Sequence, residues 1–187
     1  DAGGGITTGA TNIFIGYEAG DGHDTETDNI GIGKSALGGP VAGGEHNVCI
    51  GQSAGDAITS ADYNIFIGQD TGTAATSGGG NVAVGYNAGS GINTGINSTL
   101  VGISAGAGVT SGGGIIAIGK DSGRTGSPGG NISTASDIVA IGDENIGACH
   151  IQTDWTVASD KRDKTDIESI KMGLDFVNKL EPITYRW

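Results

Sequence analysis

Asn64-Ile65-Phe66-Ile67-Gly68 decides the fold, because the same five-residue phrase returns along most of the chain. It reads Asn12-Ile13-Phe14-Ile15-Gly16, Asn29-Ile30-Gly31-Ile32-Gly33, Asn47-Val48-Cys49-Ile50-Gly51 and Asn81-Val82-Ala83-Val84-Gly85. Weaker copies end at Gly102, Gly119 and Gly142. The closing glycines are spaced by 17, 18, 17, 17, 17, 17 and 23 residues. Self-similarity at a fixed short period is the mark of a stacked or solenoidal architecture. Side chains of a strand alternate between two faces, so Ile13 and Ile15 share one face while Phe14 points to the other. The Ile/Val pairs read as the inward ladder. A second apolar position lies seven residues after the closing glycine, at Ile58, Ala75, Ile92 and Val109. One repeat therefore reads as two short strands joined by glycine turns. At ~4.8 Å per coil, eight coils make a rod on the order of 40 Å long. The leading asparagines suit an Asn ladder or the hold of the preceding turn. The wider gap before Gly142 carries six extra residues around Gly126-Ser127-Pro128-Gly129-Gly130-Asn131, which read as an exposed loop.

The composition breaks once along the 187 residues. Residues 1–147 hold 37 of the 38 glycines, with 3 Lys/Arg against 14 Asp/Glu, a net charge of -11. Residues 148–187 hold one glycine and both tryptophans, with 6 Lys/Arg against 7 Asp/Glu, a net charge of -1. The boundary is therefore placed between 147 and 148. A total charge of -12 with no basic stripe argues against nucleic acid as partner. No apolar run approaches ~18 residues, so no membrane insertion is expected. The first residue, Asp1, is no initiator, and the sequence reads as a segment of a longer chain. Two cysteines, Cys49 and Cys149, make no disulfide framework.

Each 17-residue coil offers two or three Ile/Val side chains. Ordering costs at least ~1 kcal/mol per residue against ~1.5–3 kcal/mol per buried aliphatic, so a single chain is short of core. The middle positions (Phe14, Gly31, Cys49, Phe66, Ala83, Leu100, Ala117, Ala140) are uncharged, so a second face also wants cover. The expectation is a mainly β, parallel β-roll or β-prism shaft that assembles as a parallel homotrimer coaxial with the stack.

The array, over about residues 12–147, resembles the Asn-Ile-x-Ile-Gly repeats of phage tail-fibre shafts and of the heads of trimeric autotransporter adhesins. The resemblance implies trimeric β-rolls or β-prisms that bind surfaces.

The tail adds a second, more specific pattern. It runs Trp155, then Ser159-Asp160-Lys161-Arg162-Asp163-Lys164, and closes on Pro182-Ile183-Thr184-Tyr185-Arg186-Trp187. Between them Ile167, Ile170, Leu174 and Val177 fall at helical steps, which predicts one amphipathic helix. Thr165 or Asp166 is placed to cap its start, and Pro182 follows its end. This stretch resembles the opening of the self-cleaving intramolecular chaperone at the C-terminus of phage endosialidase tailspikes and related fibres. The resemblance implies Ser159 as nucleophile and Lys164 as its base, with the cut close to Ser159 and Asp160. Family chaperones continue well past the point where this chain stops.

The chemistry makes its own demands. A serine hydroxyl needs a base, and a lysine serves only when its pKa is depressed. Lys161 and Arg162 would help depress Lys164, whereas Asp160 and Asp163 would oppose this unless they face away. Positions five apart do not meet on a helix or a straight strand, so a turn must join Ser159 to Lys164. A chaperone also has a physical purpose here. Near-identical repeats pair one repeat out of register almost as well as in register. A C-terminal trimeriser would fix that register, and its removal would lock the fold kinetically.

Other constellations carry less. Asp21, Asp24, Glu26 and Asp28 with His23 form the densest acidic loop but lack a calcium-loop spacing. His46 with Cys49, and Cys149 with His150, offer no second ligand set. Gly112-Gly113-Gly114 precedes no lysine or helix, so it is no phosphate loop. Asp143 and Glu144 are adjacent and nominate no glycosidase pair. No cofactor and no metal is expected. The function indicated is a structural, host-surface-binding segment of a phage tail fibre, located in the virion. Its expected partners are other tail-fibre proteins and a host glycan or protein. The alternatives are a trimeric cell-surface adhesin and a polysaccharide-active β-solenoid.

Overall fold

A computed structural model describes residues 1–39, 43–127 and 130–150 of the chain. The expected helix carrying Ile167, Ile170, Leu174 and Val177 and the tail motifs lie outside the described residues. Eight three-residue strands follow one another: β1 (Ile13–Ile15), β2 (Ile30–Ile32), β3 (Val48–Ile50), β4 (Ile65–Ile67), β5 (Val82–Val84), β6 (Thr99–Val101), β7 (Ile116–Ile118) and β8 (Val139–Ile141). They form one parallel sheet in sequence order, each pairing with the next. The register is constant: Ile65 lies opposite Val82, Phe66 opposite Ala83, Ile67 opposite Val84. Each rung is thus one turn of a parallel β-solenoid within the unit Asp1–Ala148. Among the described residues there is no helix.

Two features differ from the sequence expectation. There is one strand per repeat rather than two. Ile58, Ile92 and Val109 are fully buried, but their N–H groups donate to Gly55, Gly89 and Gly106, three residues back. An amide spent on closing a local turn cannot join a ladder, so the second apolar position belongs to a turn.

The second difference is which strand face is inside. The middle residues Cys49, Phe66, Ala83, Leu100 and Ala117 are fully buried, whereas the flanking Ile13, Ile15, Ile65, Ile67, Ile116 and Ile118 are exposed. The Ile/Val ladder therefore faces outward. Volume explains the choice. Along the interior column a large residue is followed by small ones: Phe14 by Gly31, Phe66 by Ala83, Leu100 by Ala117. A Cβ on Gly31 would lie 2.9 Å from the Phe14 ring. An enclosed space of fixed width enforces such compensation, because interiors are close-packed. The far wall is small too, built of Ala19, Ala36, Ala54, Ala88 and Ala105 with Leu37. A single chain thus closes its own core, which the sequence arithmetic judged too thin.

The asparagines supply much of what aliphatic burial does not. Asn29, Asn47, Asn64 and Asn81 are fully buried. The Asn64 side chain donates to Asn47 Oδ1 at 3.1 Å and to the Gly78 carbonyl at 3.0 Å. Its own Oδ1 accepts the Asn81 N–H at 3.0 Å and the Asn81 side chain at 3.1 Å. The ladder and the turn tie are both present, one on each side of the amide. Buried polar groups of this kind stabilise only when fully paired. At the next rung Ser98 replaces Asn, and the chain above receives one long contact, Ile115 N–H to Ser98 Oγ at 3.4 Å. Ser98→Asn is expected to extend the ladder to the Gly112 carbonyl and stabilise the solenoid by about 1 kcal/mol. A chemical denaturation curve with an unchanged or lower midpoint would contradict this.

The closing glycines are needed for close stacking. Gly51 has a φ of +135°, and a Cβ there would lie 2.4 Å from the Gly68 carbonyl oxygen of the next rung. The long spacing before Gly142 leaves the register intact, since Ile116 still pairs with Val139 and Ile118 with Ile141. Beyond the extra residues Ile132 is buried again, its N–H donating to the Gly123 carbonyl at 3.3 Å.

Candidate assembly face and processing segment

The outward face is the broadest chemical feature of the solenoid. Two columns run along it, one from Ile13 through Ile30, Val48 and Ile65 to Val139, the other from Ile15 through Ile32, Ile50 and Ile67 to Ile141. Every member is Ile or Val except Thr99. Exposure reaches 59% at Ile15 and 60% at Val139. With ~60–80 Å² left bare per side chain, the stripe amounts to on the order of 1,000 Å², beyond the few hundred Å² usual on a monomer.

Two edges border the stripe. Two residues before β2, β3, β4, β6 and β8 stand the exposed Asp28, His46, Tyr63, Asn97 and Asp137. His46 stacks on Tyr63 with ring centroids 4.8 Å apart and planes 10° from parallel, and its Nδ1 lies 3.8 Å from Asp28. All five residues have φ between +54° and +59°, the region Gly80 and Gly114 occupy at the same position of their repeats. The opposite edge holds the residue after each closing glycine: Tyr17, Lys34, Gln52, Gln69, Tyr86, Ile103, Lys120 and Asp143. The Lys34 ammonium stands 6.0 Å from the Tyr17 ring centre. Sequence reasoning missed both edges. The available signal was the exchange of Gly with Asp, His, Tyr and Asn at one position of the repeat.

The structure separates His46 from Cys49. The first is outward; the second is fully buried, and burial pushes its thiol well above the ordinary value. Cys149 is exposed. Among the described residues, no group of three or more His, Cys, Asp and Glu side chains is placed to hold a metal ion. Asp143 and Glu144 line a polar cleft of about 230 Å³ with Lys120, Asp121 and Arg124. Hydrogen bonds from Lys120 and Arg124 hold the Asp121 carboxyl below its usual range. That cleft is an internally neutralised charge cluster, with both cations spent on one carboxylate.

The acidic loop divides as well. Glu26 is buried and His23 is 1% exposed, with its ring 4.8 Å from that of Phe14. Burial opposes the charged form of Glu26, but backbone N–H donors at Asp24 and Thr25 outweigh it and lower the pKa. His23 occupies the core position that Ile58 and Ile92 fill in other repeats, and neither ring nitrogen has a partner. Burial lowers its pKa, with the Glu26 carboxylate opposing. The native state therefore binds fewer protons than the unfolded chain. Its stability is present above the ordinary value of 6.5 and is lost as pH falls below it. Glu26 adds a further loss below its ordinary value of 4.5. His23→Leu is expected to raise the melting temperature and shrink the difference between pH 7.5 and pH 5.5. An unaltered difference would place the acid sensitivity elsewhere.

Ser159, Asp160 and Lys164 lie outside the described residues. The sequence comparison reaches them: the family model for the chaperone of endosialidase matches residues 159–187. Neither the curated proteins nor the solved structures give a match. A chaperone-of-endosialidase match following a parallel β-solenoid fits a tail-fibre-like protein. No helix among the described residues is long and apolar enough to cross a membrane.

Proposed function

We propose that residues 1–147 are a shaft segment of a phage tail fibre that contacts a host surface. Residues 148–187 open the chaperone that assembles it as a parallel homotrimer. The observation that carries this reading is the position of the family match, which begins at Ser159, twelve residues after the shaft. An apolar outward stripe of this size on every chain supports self-association, since water-exposed Ile/Val columns are a liability until covered. In the virion the trimer would adjoin other fibre proteins at its ends and meet a host glycan or protein at its flanks.

Ser159 is the proposed nucleophile and Lys164 its base, in a single-turnover cut of the chain's own backbone. The Ser159 hydroxyl attacks the carbonyl carbon of the neighbouring peptide, Lys164 takes the proton and returns it to the leaving amine, and water releases the acyl chain. The enzyme class is thus self-cleavage with no external substrate. The test is expression of the complete reading frame, followed by native mass and a denaturing gel. A stable, uncut monomer would overturn the reading.

A further inference from the structure

We infer that the outward Ile/Val stripe is a seam between copies of this chain, in which the Asp28–His46–Tyr63 edge of one copy meets the Tyr17–Lys34 edge of the next. This rests on the trimeric reading and adds which surfaces meet and in what order. Each chain closes its own core, with Phe66, Leu37, Ile58 and Leu100 fully buried without a partner. The copies therefore pack side by side as finished solenoids and do not share an interwoven interior. What a neighbour covers is the stripe, whose ~1,000 Å² matches the ~800 Å² per partner of a standard stable interface.

The edges decide how the stripes meet. A two-fold axis across the stack brings like edges together and reverses one copy. A cyclic arrangement instead brings the left edge of each copy to the right edge of the next, at matching height. Charge is distributed for the second case. Of the three cations in residues 1–147, Lys120 and Arg124 are paired with Asp121, and Lys34 stands on one edge. The opposite edge carries Asp28 and Asp137. Lys34 follows β2 and Asp28 precedes it, so they share a rung. Among the described residues Lys34 forms no ion pair within its own chain, so its ammonium is available across the seam. Complementary edges of this kind fix register and orientation more than they add affinity. In a repeat array, a register mark is what the uniform Ile/Val columns lack.

The experiment uses the full 187-residue chain with Cys149→Ser, leaving Cys49 buried. Asp28→Cys, Lys34→Cys and the double variant are treated with a short bismaleimide, and native mass is measured in parallel. The double variant should give covalent trimers on a denaturing gel, and each single variant only monomers. A single variant that links to itself would overturn the parallel seam in favour of an antiparallel two-fold one. A trimeric mass without linkage in the double variant would overturn the edge assignment while leaving the trimeric reading intact. A monomeric mass would overturn both. Should Cys disturb Asp28, the unmodified chain answers the same question: carbodiimide should join Lys34 to Asp28 as an amide between copies. That product should vanish in Lys34→Gln, and its absence from the unmodified chain would contradict the seam.

Discussion

Phe66→Asp and Ile67→Asp, neighbours in one strand, are expected to fail in different ways. Phe66 is fully enclosed, with Cys49 and Ala83 on the adjoining rungs. A carboxylate there loses its hydration with no partner, and the ring leaves a cavity. Together these cost about 4–5 kcal/mol or more, enough to unfold a marginal array. Ile67 is 37% exposed and points away from the core. Its replacement should leave the solenoid folded, with its strand signal and urea midpoint nearly unchanged. What it should remove is association, because every copy then carries a charge at the same height of the stripe. Circular dichroism with native mass separates the two outcomes. If Ile67→Asp unfolded the chain and Phe66→Asp did not, the assignment of inside and outside would be reversed.

The second large effect is all-or-none. In the complete reading frame, wild type is expected to yield a shortened shaft and a small C-terminal fragment, while Ser159→Ala and Lys164→Ala stay whole. Removing either member of a nucleophile–base pair typically costs several orders of magnitude in rate, so a single-turnover cut ceases on any practical timescale. Lys164→Arg distinguishes base from simple cation, since a guanidinium keeps the charge but does not give up its proton. It should also stay whole. Cleavage in Lys164→Arg would remove the base assignment, and a whole wild type would remove the catalytic claim.

Much of the shaft was legible because its signals are local. The Asn-x-x-x-Gly frame gives strand positions and rung spacing, and β1 to β8 fall where the phrases do. The Asn ladder followed from one buried amide per rung. Inside and outside were not legible from alternation alone, because both faces of Ile-Phe-Ile are apolar. The deciding clue was variance rather than hydrophobicity. The column Phe14, Gly31, Cys49, Phe66, Ala83 trades volume from rung to rung, as an enclosed space requires. The column Ile15, Ile32, Ile50, Ile67 scarcely changes, as a flat contact surface allows. The second strand was misread for a related reason: Ile58 and Ile92 are buried, but burial does not reveal where their amides donate. The Asp62 carboxylate accepts the Glu45 N–H at 2.8 Å, a tie that no repeat motif marks. Such ties between rungs depend on the stacking and appear only once the rungs are in register.

The most direct test of the account is the native mass of the intact chain, wild type against Ile67→Asp, by light scattering at one concentration. The account predicts three times 18.4 kDa for wild type and 18.4 kDa for the variant, both with the same strand signal. A folded wild type at 18.4 kDa, with its Ile/Val stripe bare in water, would contradict it.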